Sequence, residues 1–325
     1  MKRILIIGEG RVGKAIEYYL KKMNPRLKVG FFSKKSDVKN SSLLIGALPG
    51  EVGEISLKLA LKFKKDLIDV SDIDYTFYLK SKKEIERKGI SVFPGCGFSP
   101  GLVNLICGKE VKGNEVKEIE IKAGTLSPNK FFFPFLWCLE DLIEGHQAKA
   151  TLIRKGKKIK VAPFSDYKRE KIEGIEVESY LAEGLDSLIG SLKVKNMSYR
   201  ILRPLGFFDF FSYLDSYGFF KKENFNFTKK VLERRKEDNI TLARVKIKTK
   251  NKEIIWKIKS FSRKNDKLNS MQKITAAFPA ALTEILFKKG FVEKGLFFPE
   301  KLGEDKKLFG EILKKVKKEI FITCT

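Results

Sequence analysis

The run Ile4-Leu5-Ile6-Ile7, followed at once by Gly8-Glu9-Gly10-Arg11-Val12-Gly13, constrains this chain more than any other segment. Four consecutive apolar residues suit a strand buried on both faces, and a glycine-spaced turn into a helix-like stretch (residues 11–23) opens a βαβ unit. In G-x-G-x-x-G, Gly8 allows the tight turn, Gly10 lets the backbone approach a pyrophosphate, and Gly13 lets the helix pack on the strand. The amides of Arg11 and Val12 lie at the helix N-terminus, which favours an anion. The bland alternative is a glycine turn that binds nothing.

The next hundred residues alternate short apolar runs with helix-like stretches, the pattern of a parallel sheet in an α/β fold. Strands are predicted over 3–7, 28–32, 43–47, 66–70 and 90–93, with helices near 11–23, 51–64 and 75–88. Only ten residues separate Phe32 from Leu43, too few for a helix, a further strand and their turns. The expected result is a shortened Rossmann-type sheet.

Loops after successive parallel strands share one edge, where ligands bind. After the second strand the chain reads Ser33-Lys34-Lys35 where a ribose-binding acid is sought. A hydroxyl and two ammonium groups suit a 2′-phosphate, which favours NADP over NAD, unless these are merely two more solvated lysines. Ala47, Leu48 and Pro49 would lie on the nicotinamide side. Asp69 and Val70 end the fourth strand and would border the cofactor, and Asp72 beyond it is a candidate for proton transfer or for holding a substrate ammonium or, equally, a helix N-cap. Cys96 lies in a glycine-rich loop (residues 94–101) that suggests a site-lining thiol, although free cysteines are often small buried hydrophobes.

Beyond about residue 105, polar and apolar residues alternate with hairpin signals in 116–122, 150–161 around Gly156, and 242–261 around Asn251. An antiparallel sheet is predicted, with helices over 136–146 and 227–236. The domain expectation is a Rossmann domain over 1–105, an α+β substrate or dimerisation domain over 106–270, and a segment over 271–325 returning to the first domain.

With 325 residues, 66 Lys+Arg and 40 Asp+Glu, the formal charge is +26. Such a charge is the footprint of a nucleic-acid or membrane-surface binder, but the lysines are scattered through every segment with no basic arm or nucleic-acid motif. Anionic small ligands are the simpler expectation. Cys96, Cys107, Cys138 and Cys324 show no C-x-x-C spacing, and with one histidine, His146, they make no metal set. These features, and the absence of a signal-like or spanning apolar run, lead to the expectation of a soluble cytoplasmic protein without a metal.

The order of these segments resembles the saccharopine dehydrogenase-like family, its lysine 6-dehydrogenase branch most closely. The resemblance is carried by the glycine fingerprint, Ala47-Leu48-Pro49, Ile68-Asp69-Val70, Gly97-Phe98-Ser99-Pro100-Gly101-Leu102-Val103-Asn104, Gly124, Trp137-Cys138-Leu139-Glu140, Glu183-Gly184-Leu185 and the stretch from Thr275 to Ala281. It implies NAD(P)-dependent oxidation of an amine to an imine, or the reverse reduction, on an amino-acid substrate in a homodimer or larger homo-oligomer. Saccharopine-type or carboxynorspermidine-type reductases are the alternatives within that chemistry. A catalytically weak dinucleotide-binding homologue is the alternative outside it.

A substrate carboxylate calls for a cationic clamp. Arg203 is the first candidate, ahead of Arg200, Arg154 and Lys122. Family members often carry Thr-x-Arg-Tyr-x-Gly-His near here, whereas this chain has Ile201-Leu202-Arg203-Pro204-Leu205-Gly206-Phe207, keeping only the arginine and glycine. The aromatic residues that follow, Phe207, Phe208, Phe219 and Phe220, suit a core or an interface better than a pocket.

Overall fold

The computed structural model describes residues 3–71, 73–127, 133, 138–233, 237–290 and 293–325. The chain forms two compact units. Unit 1 comprises residues 1–115, 186–192 and 272–320, and unit 2 comprises 116–185, 193–271 and 321–325.

In chain order, unit 1 begins with β1 (Arg3–Ile7), α1 (Arg11–Met23), β2 (Lys28–Phe31), α2 (Lys35–Lys39), β3 (Leu43–Gly46), α3 (Gly50–Phe63), β4 (Asp66–Asp69), α4 (Tyr75–Lys88), β5 (Ser91–Phe93) and α5 (Leu102–Val111). Unit 2 follows with β6 (Val116–Leu126), α6 (Leu139–Gln147), β7 (Ala150–Arg154), β8 (Lys157–Val161), β9 (Lys168–Ile172) and β10 (Ile175–Leu181). After α7 (Asp186–Ser191), which belongs to unit 1, come β11 (Asn196–Arg203), α8 (Phe207–Ser216), α9 (Lys222–Glu233), β12 (Asn239–Thr249) and β13 (Glu253–Ser262). The chain ends with α10 (Ser270–Lys289), β14 (Gly295–Leu296), α11 (Pro299–Gly303), α12 (Lys306–Val316) and β15 (Phe321–Cys324).

The six strands of unit 1 run parallel in the order β14-β5-β4-β3-β1-β2. Ile4, Leu5 and Ile6 are wholly buried because helices cover such a sheet on both faces. Helix α1 turns Ala15, Ile16, Tyr19 and Leu20 inward, one apolar stripe at helical spacing. The expected shortening is present: β2 is the edge strand, and the chain returns across β1 to β3 with only the five-residue α2, whose Val38 is buried.

Unit 2 holds a nine-stranded sheet, ordered β15-β13-β12-β6-β11-β10-β9, with β7 pairing β11 and β8. Alternation sets its faces. On β12, Ala243, Val245 and Ile247 are buried while Arg244, Lys246 and Lys248, on the other face, are half-buried, and Val245 and Ile247 lie opposite Ile121 and Ile119 of β6. The predicted hairpins appear as β7–β8 and β12–β13, the first turning at Lys155 and Gly156, both with positive φ. The sheet is mixed rather than antiparallel throughout, because β6 and β11 pair in parallel; the long excursion between them can carry the chain back to the same end. Among the described residues, no helix is long and apolar enough to cross a membrane, and no cluster of His, Cys, Asp or Glu is suited to a metal ion.

Candidate functional site

The carboxyl ends of the parallel strands in unit 1 are joined by a staircase of backbone hydrogen bonds. Phe32 N–H donates to Ile6 C=O at 2.8 Å, Ala47 N–H to Ile7 C=O at 2.8 Å, Val70 N–H to Gly46 C=O at 2.9 Å, and Cys96 N–H to Asp69 C=O at 2.9 Å. The Leu48 N–H adds a bond to Ser71 Oγ at 3.0 Å. The loops singled out in the sequence are thereby held on one edge, where strand-to-strand pairing makes their positions mutually dependent.

The glycine turn has the shape a dinucleotide requires. Gly8 has φ +119°, and a Cβ there would lie 2.3 Å from Ala47 O. A Cβ on Gly13 would lie 2.0 Å from Gly8 O, so close helix-to-strand packing depends on its absence. Gly10, by contrast, has open space on its Cβ side. It is the N-cap of α1, no side chain caps that helix, and its first turn holds no acid. The dipole end of a 13-residue helix therefore faces open space beside Gly10, a fit for a pyrophosphate. Arg11, Val12 and Gly13 are the first residues of that helix.

Other residues on the edge act within the protein. Asp69 is fully buried, and burial raises its carboxyl to about 6 against the lowering effect of Ser71. Its Oδ1 accepts the Ser71 N–H at 2.9 Å, so the side chain fixes the loop that follows Val70. Cys96 is also wholly enclosed, with its thiol pushed well up by burial and by Asp69. The glycine-rich loop suggested a site-lining thiol, but the backbone turns Cys96 inward, so a catalytic or ligand-facing role does not fit. Pro49 caps α3. Asp72 lies outside the described residues, as does Trp137. Ser33, Lys34 and Lys35 are exposed, and the backbone N–H groups of Ser33 and Lys34 end on Asp37, a residue not singled out above.

In unit 2, Arg203 of β11 is buried to 1 % exposure. Its Nε–H donates to His146 Nε2 at 3.0 Å, its Nη1 to Leu202 C=O at 3.2 Å, and its guanidinium stands 5.4 Å from the Phe207 ring centroid. Nη2 has no partner in good hydrogen-bond geometry, and the buried Tyr180 hydroxyl is its neighbour. No carboxylate among the described residues forms an ion pair with Arg203. The cross-strand neighbour Glu178 instead accepts from Gly206 N–H at 2.6 Å, Phe208 N–H at 2.9 Å and the Tyr167 hydroxyl at 3.0 Å.

His146 Nδ1 lies 2.6 Å from Leu142 C=O. A carbonyl only accepts and a guanidinium only donates, so Nδ1 carries the proton and the ring is neutral. Burial and then the Arg203 charge hold its pKa well below the usual 6.5. This histidine is a partner of Arg203 rather than an acid. Phe207 and Phe211 are core residues packed with Leu139, Leu142 and Ile143. Of the other clamp candidates, Arg200 is tied to Asp166 at 2.6 Å and Lys122 to Glu170, while Arg154 is exposed at the end of β7.

Fold and edge geometry define a two-unit α/β protein whose first unit is of the Rossmann type. The chain belongs to the saccharopine dehydrogenase family: the sequence profile of the Saccharopine dehydrogenase C-terminal domain matches residues 97–322. Among solved structures it is similar to apo saccharopine dehydrogenase (L-Glu forming) from Saccharomyces cerevisiae, at 15 % identity and TM-score 0.71, covering 100 % of each chain. It also matches DAP dehydrogenase from C. glutamicum (12 % identity, 92 % of this chain and 93 % of that chain, TM-score 0.45) and a probable dehydrogenase from Thermotoga maritima (10 %, 99 % and 98 %, TM-score 0.47). A sequence search of curated proteins gives no match.

Proposed function

We propose that this chain is a nicotinamide-dependent oxidoreductase acting on the CH–NH bond of an amino acid. One observation carries the dinucleotide part: the uncapped N-terminus of α1 faces open space at Gly10 while Gly8 and Gly13 are fixed by backbone contact. When bound, the nicotinamide would accept a hydride from the amine carbon or return one to an imine. The protein's task is then to orient two ligands and manage one proton. Gly8, Gly10, Arg11, Val12 and Gly13 would hold the pyrophosphate, and Ala47, Leu48, Pro49 and Val70 would border the nicotinamide side. Asp72 is proposed for the proton.

Arg203 is proposed as the partner of a substrate carboxylate, supported by a buried guanidinium that has no carboxylate ion-pair partner among the described residues. Lysine oxidation of the lysine 6-dehydrogenase kind is the preferred reaction, with saccharopine-type or carboxynorspermidine-type reduction next. The enclosure of Arg203 favours a second reading, a dinucleotide-binding homologue with weak catalysis. The four free cysteines are consistent with a reducing cytoplasm, and a homodimer is the proposed assembly.

Titration with NADH and NADPH, followed by a turnover screen of lysine, saccharopine and polyamine conjugates, tests this. Saturable cofactor binding with turnover of one amine class is expected. Absence of binding at millimolar cofactor refutes the oxidoreductase reading, and binding without turnover of any amine supports the second.

A further inference from the structure

Four cations stand in one row across the sheet of unit 2. Lys257 of β13 pairs with Arg244 of β12, Arg244 with Lys122 of β6, and Lys122 with Arg200 of β11. Residues paired across neighbouring strands project to the same side, so the four side chains share a face, and like charges directly opposite one another are destabilising. That face is also a trough. Glu173, at the turn between β9 and β10, reaches Lys257 at 2.9 Å, although three strands separate β10 from β13 and a flat sheet would hold them about 19 Å apart. Ile172 and Val177 of the same hairpin pack with Leu202 and Leu242, which closes the face at one end.

Three of the four cations have an acid. Arg200 Nη1 donates to Asp166 at 2.6 Å, Lys122 is tied to Glu170 with Glu120 at 3.9 Å, and Lys257 shares Glu173 with Lys259. Arg244 has none: among the described residues it forms no ion pair or hydrogen bond, and its Nε is shut off from water without a partner. A buried donor left in this state calls for a water or an ion. The row of charge decides for an ion. A guanidinium edge presents two parallel N–H groups to an oxyanion, and the ammonium groups on either side keep donors to spare, since each carries three. A carboxylate is satisfied by the guanidinium edge alone, whereas a tetrahedral phosphate offers oxygens to Arg244 and to both lysines.

We propose that Arg244, between Lys122 and Lys257, forms an anion site in unit 2 for a phosphate group, carried free or on a small ester. The site rests neither on the dinucleotide reading nor on Arg203. The test is calorimetric titration of the full chain with inorganic phosphate and with glycerol phosphate at constant ionic strength, repeated for Arg244→Gln, Arg244→Lys and, as a control of equal charge, Arg263→Gln at an exposed arginine of the same unit. Because the N-terminus of α1 also attracts phosphate, sites are counted as well as affinities compared. Saturable binding is expected. Arg244→Gln should weaken one site by at least about tenfold, the loss of a charge-assisted pair, with Arg244→Lys in between and Arg263→Gln without effect. Without phosphate, the thermal midpoint of Arg244→Gln should equal or exceed that of the unaltered chain, since a row of like charges loses a member. Whichever of the two probes binds more tightly identifies the source of the phosphate. Equal weakening by Arg244→Gln and Arg263→Gln would show diffuse attraction to the net charge of +26 and overturn the assignment. So would heats that do not saturate, or a full count of sites at unchanged affinity in Arg244→Gln.

Discussion

The carboxyl edge of unit 1 and the Arg203 cluster of unit 2 solve the problem of polar groups in opposite ways. At the edge, backbone amides are satisfied step by step from strand to strand, and what remains open is the positive end of a helix beside a bare glycine. Around Arg203, a full charge is enclosed among neutral groups: a histidine, a carbonyl, an aromatic face and the Tyr180 hydroxyl. An open dipole costs little without a ligand, because water can stand in. A buried guanidinium lacking a counterion is costly in every state that lacks one. On the proposed function, the edge binds its cofactor readily, and the cluster is relieved when a substrate carboxylate reaches Arg203.

The contrast breaks most visibly at Gly13. Gly13→Val places carbon where Gly8 O lies 2.0 Å from the Cβ position, so dinucleotide binding should fall beyond detection in a fluorescence titration. Next comes Arg203→Met, which should lower kcat/KM for the carboxylate-bearing amine by about a thousandfold, or ~4 kcal/mol. The same variant should leave the thermal midpoint unchanged or raise it, since an apolar side chain replaces a desolvated charge. A large drop in Tm would instead show Arg203 to be a structural support.

A smaller difference lies in pH. Asp69 has a folded-state carboxyl near 6 against an ordinary 3.8. Its ionised form therefore costs stability above pH 6, on the order of 3 kcal/mol, and that cost disappears as pH falls toward 4. Asp69→Asn should accordingly be more stable than the unaltered chain at pH 7 but not at pH 4 in urea titrations. His146 has the opposite sign. Its pKa is depressed, so the unfolded chain binds the proton first, and stability is lost as pH drops below about 6.5, by up to ~1.4 kcal/mol per unit. As the chain contains one histidine, its imidazole NMR signal reports this site alone and should stay neutral at pH 5.5. The smallest effect belongs to Lys35→Ala, expected to change NADPH affinity by less than about threefold.

The edge was legible in the sequence because each of its parts is local: β1, the glycine turn and the apolar runs of β3, β4 and β5 declare themselves within a few residues. Helix α2, which Asp37 caps, was missed because ten residues were too few for a helix and a further strand with their turns; the spacing Lys34-x-x-Asp37, an acid three residues into a short helix, was the available signal. The setting of Arg203 was not legible. Its partner His146 is 57 positions away, and only the register of β11 and the placement of α6 bring them together. The inward turn of Cys96 was equally hidden, since a glycine-rich loop shows where backbone bends but not which way a thiol faces. The return of residues 186–192 to unit 1 has no mark in composition, yet it joins Ser187 and Ser191 to the buried Glu300 at 3.0 and 2.6 Å.

The parallel pairing of β14 with β5 has a consequence for how the molecule is made. Residues 295–296 complete a sheet whose neighbouring strand ended at Phe93. During translation the nascent chain must carry the unpaired edge of β5 past residues 116–271, nearly all of unit 2, and β14 reaches the sheet of unit 1 only when residue 296 has been synthesised. Truncated products ending in unit 2 would display that edge to one another, so a ribosome that stalls late leaves an aggregation-prone fragment rather than a finished first unit.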